Sequence, residues 1–339
     1  MRGLVAAPLP PGGGGAGGEG DGGTERACSS NLPPLPGAHW RQAHRASPTR
    51  GEGLEPGWSA CLNLRFEARE VLGAPRTVMT ERNHFGPLRI LKPLYPEGHD
   101  ICHGVIVHPP GGIVAGDSLA IDVRVDQGAC AVITTPGAQK WYRSTGKHAS
   151  AATRLHVADG AALEWMPQET IVFDGTSAQQ SLEIALAPDA RFFGWEMLCL
   201  GRTTRGERFT TGDFRQRIRL VRAETNAPLW RESMVITGGD PLLTSPLGLR
   251  GMPVTATAWI AFPHGALSTL SADELLANIR ANLGDSALAA ASSPEAGLVV
   301  VKVIGDAPEA LRNLLIAVWS KIRMQVFGRK PELPRIWST

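Results

Sequence analysis

The chain has 339 residues, 43% hydrophobic and 19% charged, and its 34 Lys and Arg against 32 Asp and Glu leave a formal charge of +2. That composition is globular, and the balance lacks the basic excess of a dedicated nucleic-acid binder. No aliphatic run approaches the roughly 18 residues of a membrane-spanning helix, so neither nucleic acid nor membrane is an expected partner.

Residues 1–57 hold 14 of the 39 glycines and 8 of the 26 prolines, with five Arg, five acidic residues and almost no apolar periodicity. Such a segment cannot bury enough surface to offset its ordering entropy and reads as a disordered N-terminal extension. Residues 58–339 read as the β-rich domain, long enough to bury about three quarters of its unfolded surface. Arg2 is followed only by Gly3–Ala7 before Pro8, too short for a secretory signal core. The five cysteines, Cys28, Cys61, Cys102, Cys130 and Cys199, are odd in number and far apart. The expectation is reduced thiols in the cytoplasm.

From Trp58 the pattern has period two: Trp58, Ala60, Leu62, Leu64 and Phe66 alternate with mostly polar residues, as a half-buried strand requires. The alternation returns at Leu119–Val125, Leu155–Val157, Leu182–Leu186 and Phe214–Leu220. Turn signals at Asp126-Gln127-Gly128, Asp159-Gly160 and Pro188-Asp189 separate the runs. Gly128 and Gly160 are 32 residues apart, which fits either a solenoid of strands or the ordinary turn spacing of a β protein, and ordinary spacing is the preferred reading. Ser271-Ala-Asp-Glu274 is a capping box opening a helix that Gly284 stops. Leu298–Ile304 reads as a buried strand. A second helix starts near Asp306 and Pro308, carries the stripe Leu311, Leu314, Leu315, Val318 and Ile322, and ends at Gly328. Its Arg312, Lys321 and Arg323 read as a solvated face.

Most enzyme signatures are absent. Gly146-Lys147 lacks the rest of a phosphate loop, Gly12-x-Gly14-x-x-Gly17 lies in a glycine tract with no strand before it, and no serine has the flanks of a nucleophile elbow. Cys102, His103 and His108 are the best metal-ligand group. His103 and His108 are five apart and face opposite ways on a regular strand, so they converge only if Pro109-Pro110 turns the chain. In His108–Asp117 two prolines and three glycines force a defined turn, leaving Asp117 as a turn cap or an acidic group at a rigid loop exit. Thr134–Arg143 interleaves basic and aromatic residues; stacking on bases is one reading, an ordinary turn or protein-contact surface the preferred one. Glu196 and Glu232 lie in apolar strands, where an unpaired carboxylate is costly; each is either ion-paired or part of an internal wet channel. Asp117, Glu169 and Glu196 also leave open a β-helical hydrolase acting on polysaccharide, which needs paired carboxylates.

Five segments in order, His108–Asp117, Thr135–Ser144, Leu163–Glu169, Trp195–Arg202 and Leu333–Trp337, resemble the urease accessory proteins called UreD, or UreH in some bacteria. The resemblance runs from about Trp58 to the C-terminus and leaves out the first 57 residues. It implies a mainly β fold, a helix-like stack of strands with two α-helices near the C-terminus. It implies a cytoplasmic, non-enzymatic chaperone that binds apo-urease and recruits UreF and, through it, the GTPase UreG, so that nickel reaches the urease active site. It implies no tightly bound cofactor, with nickel passing transiently along an internal passage lined by Asp117, Gln139, Glu196 and Glu232.

Overall fold

The structure is a computed structural model that describes residues 57–263, 271–283 and 288–338. The expected extension up to residue 56, with Cys28, and the expected helix stop at Gly284 lie outside the described residues. In chain order the strands are β1 (Ser59–Val71), β2 (Ala74–Phe85), β3 (Arg89–Ile90), β4 (Ile101–Val107), β5 (Ser118–Val125), β6 (Cys130–Thr134), β7 (Gln139–Trp141), β8 (Ala149–Val157) and β9 (Ala162–Met166). They continue as β10 (Thr170–Val172), β11 (Ser177–Leu186), β12 (Arg191–Leu200), β13 (Asp213–Arg222), β14 (Pro228–Thr237), β15 (Val254–Ala261), β16 (Ala289–Glu295) and β17 (Leu298–Gly305). Two helices are described, α1 (Ala272–Leu283) and, near the C-terminus, α2 (Pro308–Phe327).

Two sheets face each other. In one, β1, β5, β8, β11 and β13 run parallel, with β2 and β14 antiparallel at the edges. In the other, β4, β6, β9 and β12 run parallel and continue through antiparallel β15, β17 and β16. Short β7 and β10 run alongside the end of β12. The chain therefore winds as stacked rungs, each crossing from one sheet to the other through a tight turn. Val125 pairs with Val157 and Val157 with Leu186. At the turns Ala162 N donates to Ala129 O and Arg191 N to Ala161 O, both at 2.9 Å. Ala129, Ala161 and Ala190 form a small buried ladder where the rungs bend. This corrects the preference for ordinary turn spacing: the similar turns are successive rungs of one solenoid-like stack.

Burial explains the patterns. Strands of the first sheet bury one face, so β1 and β13 alternate, whereas β12 is covered on both faces and reads as one apolar run. Its Phe192, Leu198 and Leu200 fill the space between the sheets; its Phe193, Trp195, Met197 and Cys199 pack outward in the cluster that includes α1 and α2. The capping box forms, with Glu274 N donating to Ser271 Oγ and Ser271 N to Glu274 Oε2, both at 3.1 Å. Gly328, at φ 67°, ends α2 in the left-handed region that glycine adopts freely.

Three expectations need correction. Trp58 precedes β1 and is exposed. Cys61 is disulfide-bonded while Cys102, Cys130 and Cys199 are free, because spacing along the chain does not report pairing in space. Arg312 and Arg323 do not join Lys321 on a solvated face. Arg312 binds Gln168 and Glu169, and Arg323 is wholly buried, because the sheet covers that side of α2 as well.

Candidate functional site

A row of polar side chains crosses the apolar interior. Glu196 on β12 lies directly opposite Thr257 on β15, and Thr257 opposite Lys302 on β17. Their neighbours on the same face, Leu198, Trp259 and Val300, belong to the core between the sheets, so the row points inward. On the facing sheet Gln180 of β11 pairs in register with Gln216 of β13. Gln180 Nε2 donates to Glu196 Oε2 at 3.0 Å, and Trp165 Nε1 to Glu196 Oε1 at 3.1 Å. Thr257 Oγ1 approaches Glu232 Oε1 at 3.5 Å, and the same oxygen accepts from Lys302 Nζ at 2.7 Å. Glu196 and Glu232, both singled out from sequence, are thus successive stations of one row.

Glu196 is 7% exposed. Burial raises its carboxyl to about 7, against the opposing pull of the Trp165 and Gln180 donors. Gln180 Oε1, Gln216 Nε2 and Trp259 Nε1 are buried without a hydrogen-bond partner among the described residues. Leaving such atoms unsatisfied costs about 1–3 kcal/mol each. Three in one interior, beside a buried carboxylate, make a place for a polar guest. Carboxylate, amide and hydroxyl oxygens together suit a hard divalent cation or its waters.

The row opens into a cavity of about 310 Å³ whose lining includes His108, Gln139, Gln168, Gln180 and Glu196. Gln139 and Glu196 are therefore brought together, and Glu232 joins them through Thr257. Asp117 is placed elsewhere: Oδ1 accepts from Trp58 N at 2.8 Å and Oδ2 from Val114 N at 3.0 Å, so it caps the Pro/Gly turn. Cys102, His103 and His108 do not converge. The Cys102 thiol lies in the core, where burial pushes it up to about 11. His103 turns the other way, 2.7 Å from Glu97, and His108 lines the cavity, its pKa lowered by burial with Asp117 opposing. Among the described residues no group of three or more His, Cys, Asp or Glu is placed to hold a metal. Glu169 is held by Arg312 at 3.1 Å, so the carboxylates that a hydrolase would need are each committed to different partners.

The segments His108–Asp117, Thr135–Ser144 and Leu163–Glu169 supply most of the cavity wall. Ile113 N donates to Lys140 O at 2.8 Å and Tyr142 N to Ile113 O at 2.9 Å, which joins the Pro/Gly turn to β7. Trp141 is buried edge-on against Phe214 and Tyr142 packs edge-on against Phe173. The aromatic residues of this segment serve packing rather than base stacking. Sequence reasoning missed Gln180, Gln216, Thr257 and Lys302. The signal for the last two was a polar residue within the apolar runs Val254–Ala261 and Leu298–Gly305.

A second buried polar group anchors α2. Arg323 Nη2 lies 2.9 Å from Glu164 Oε1 and its Nη1 2.7 Å from Glu97 Oε2; Trp319 Nε1 also donates to Glu164. Burial alone would raise the Glu97 carboxyl, but hydrogen bonds from His103 and Arg323 outweigh it and hold it down at about 2. Beside this anchor the C-terminal Trp337 Nε1 donates to Thr134 Oγ1 at 2.9 Å.

Comparison with known proteins gives one consistent match. The family model described as UreD urease accessory protein matches residues 59–338. A urease accessory protein UreD of Azoarcus sp. strain BH72 is 46% identical over 285 residues, 84% of this chain and 95% of that protein. A protein of the same name from Dechloromonas aromatica is 42% identical over 284 residues, 84% of this chain and 96% of its own length. Another, from Pseudomonas fluorescens strain Pf-5, is 44% identical with the same shares covered.

Proposed function

The chain belongs to the family of UreD urease accessory proteins, and from that premise we propose that it serves urease maturation as a non-enzymatic chaperone of nickel insertion. It binds apo-urease, recruits UreF and, through UreF, the GTPase UreG, and works in the cytoplasm. Nickel is its cargo. The ion enters the cavity beside Gln139 and Gln168, passes Glu196 and leaves by Glu232, in contact with oxygen-bearing side chains throughout. No helix among the described residues is long and apolar enough to cross a membrane, in keeping with partners met in solution.

The observation that carries this reading is the polar row itself. An apolar interior that holds Glu196, Thr257 and Glu232 in line, with Gln180 Oε1 unpaired beside them, is expensive for a scaffold and useful for a conduit. A cation crossing a dry interior needs oxygen atoms to replace its water shell. Glu196 supplies a carboxylate whose charge is set by burial, so an arriving cation displaces its proton and finds an anion.

The test is co-purification of the full chain with apo-urease and UreF, followed by nickel analysis of the urease. Glu196→Gln should leave the complex intact and lower the nickel content. Full nickel loading with intact complex would remove the row from the path, and loss of the complex would make Glu196 a structural residue.

A further inference from the structure

Lys302 is an unexpected side chain at its position. It sits on the inward face of β17, in the register row of Thr257 and Glu196, while the same face of that strand carries core residues Leu298 and Val300. Its Nζ lies 2.7 Å from Glu232 Oε1, the very oxygen that Thr257 Oγ1 approaches at 3.5 Å. The ammonium therefore occupies the carboxylate oxygen that faces the row.

We propose that Lys302 is a tethered cation that closes the outer end of the polar row, and that a divalent cation using this route must first lift the ammonium off Glu232. The proposal rests on the reading of the row as a cation path. Exposure fits a movable plug: the Lys302 side chain is 50% exposed and that of Glu232 16%, so the lysine reaches in from solvent onto a mostly covered carboxylate. Trp230 frames the contact: Nζ lies 5.8 Å from the centroid of its ring, at the edge of cation–π range, while its Nε1 donates to Glu232 Oε2 at 3.3 Å. With half of its side chain in solvent, the lysine can swing its flexible four-carbon stem outward when it leaves Glu232.

A lysine at this point does two things. It keeps Glu232 neutralised while the row is empty, which avoids an uncompensated, mostly buried carboxylate. It also repels a second cation approaching Glu232, so that entry depends on outcompeting a tethered charge. The neighbouring cross-sheet pair behaves differently. Arg222 Nη2 and Glu295 Oε1 lie 3.0 Å apart, but their side chains are 40% and 44% exposed, so this pair serves as the control for a bridge that merely ties the sheets together.

The experiment measures nickel(II) binding to the full-length chain by equilibrium dialysis, then nickel loading of urease in the co-purified complex. Lys302→Met keeps the stem and removes the charge; it should bind nickel about tenfold more tightly, as removal of a like charge a few ångströms away implies. Lys302→Arg and Arg222→Met should bind as the parent chain does. The double variant Lys302→Met, Glu232→Gln should lose the gain. Thermal melts confirm folding, and Lys302→Gln replaces the Met variant if that one does not fold. Unchanged nickel affinity in the charge-removing variants overturns the plug, and so does an equal gain in Arg222→Met. If Glu196→Gln and Glu232→Gln leave urease fully loaded, the path itself fails and the plug with it. If those two variants lower loading while Lys302→Met changes nothing, the path stands and the plug alone is wrong.

Discussion

Arg323 in α2 meets Glu164 in β9 at 2.9 Å, although 159 residues separate them, and neither side chain is more than 2% exposed. The same guanidinium holds Glu97, ahead of β4, at 2.7 Å. One cation thus satisfies two buried carboxylates from distant parts of the chain and fixes the helix over the outer face of the second sheet.

Removing that cation strands both anions. Arg323→Met should destabilise the protein by about 3–5 kcal/mol, the usual cost of breaking a buried pair from one side. Adding Glu164→Gln should recover part of the loss, because one of the stranded charges goes. Urea unfolding of the two variants checks the order; a double variant that is no more stable than the single one would show that the loss comes from packing.

Glu196 should leave a mark on the pH dependence of stability. Its folded pKa of about 7 lies above the ordinary value of 4.5, so between those limits the folded state holds a proton that the unfolded state has released. Stability from this group is complete below about pH 4.5, falls as pH rises, and levels off above about 7, a span of about 3 kcal/mol. Glu196→Gln should abolish that slope and be the more stable protein at pH 8, while lowering nickel delivery. Glu97 acts in the opposite sense: held down at about 2, it contributes stability above its unfolded pKa that is lost as pH falls from about 4.5 towards 2. Urea melts across pH 2–8 separate the two.

Asp117 should behave as a builder of the fold. Asp117→Asn keeps one acceptor oxygen for the Trp58 and Val114 amides and should cost about 1–3 kcal/mol for the amide left unpaired. The yield of assembled complex should drop with stability, with nickel per assembled complex unchanged. Reduced nickel in a fully recovered complex would return Asp117 to the passage.

The contact of Gly57 with the Pro/Gly turn is equally testable. A Cβ on Gly57 would lie 2.1 Å from the carbonyl carbon of Gly116, so Gly57→Ala must push the chain off the turn that Asp117 caps. A loss of about 1–3 kcal/mol in thermal or urea melts is expected from such overpacking. A variant as stable as the parent would mean that Gly57 can move off Gly116 at no cost.

Much of this was legible in the sequence, for physical reasons that differ by region. β1, β5, β11 and β13 showed their alternation because only one face of their sheet is deeply buried. Glu196 stood out because β12 is buried on both faces and a carboxylate in an unbroken apolar run is conspicuous. Asp117 carried the same charge but owed its place to two backbone amides, which no side-chain pattern records. Arg323 was misread because helical spacing tells which residues share a face and not what covers that face. Lys302 passed unnoticed since a lysine in the middle of an apolar strand can still carry its ammonium to water on a long stem. The rungs were visible as similar turns, yet only pairing in space distinguishes a stack from a series of hairpins.

The anchor of α2 also bears on how the molecule comes apart. A stack of rungs is a nearly one-dimensional solid in which each layer touches only its neighbours, and such arrays fray from their ends instead of melting as a whole. Arg323 ties Glu164, inside the stack, to Glu97, in the segment between β3 and β4, through a helix contributed by the end of the chain. That staple joins layers that would otherwise communicate only in sequence. Hydrogen exchange should then find β9, β12 and α2 opening together as one cooperative unit, while β14, paired on one side only among the described residues, opens alone. The outer end, where Lys302 meets Glu232, is thereby free to loosen without unsettling the rungs behind it.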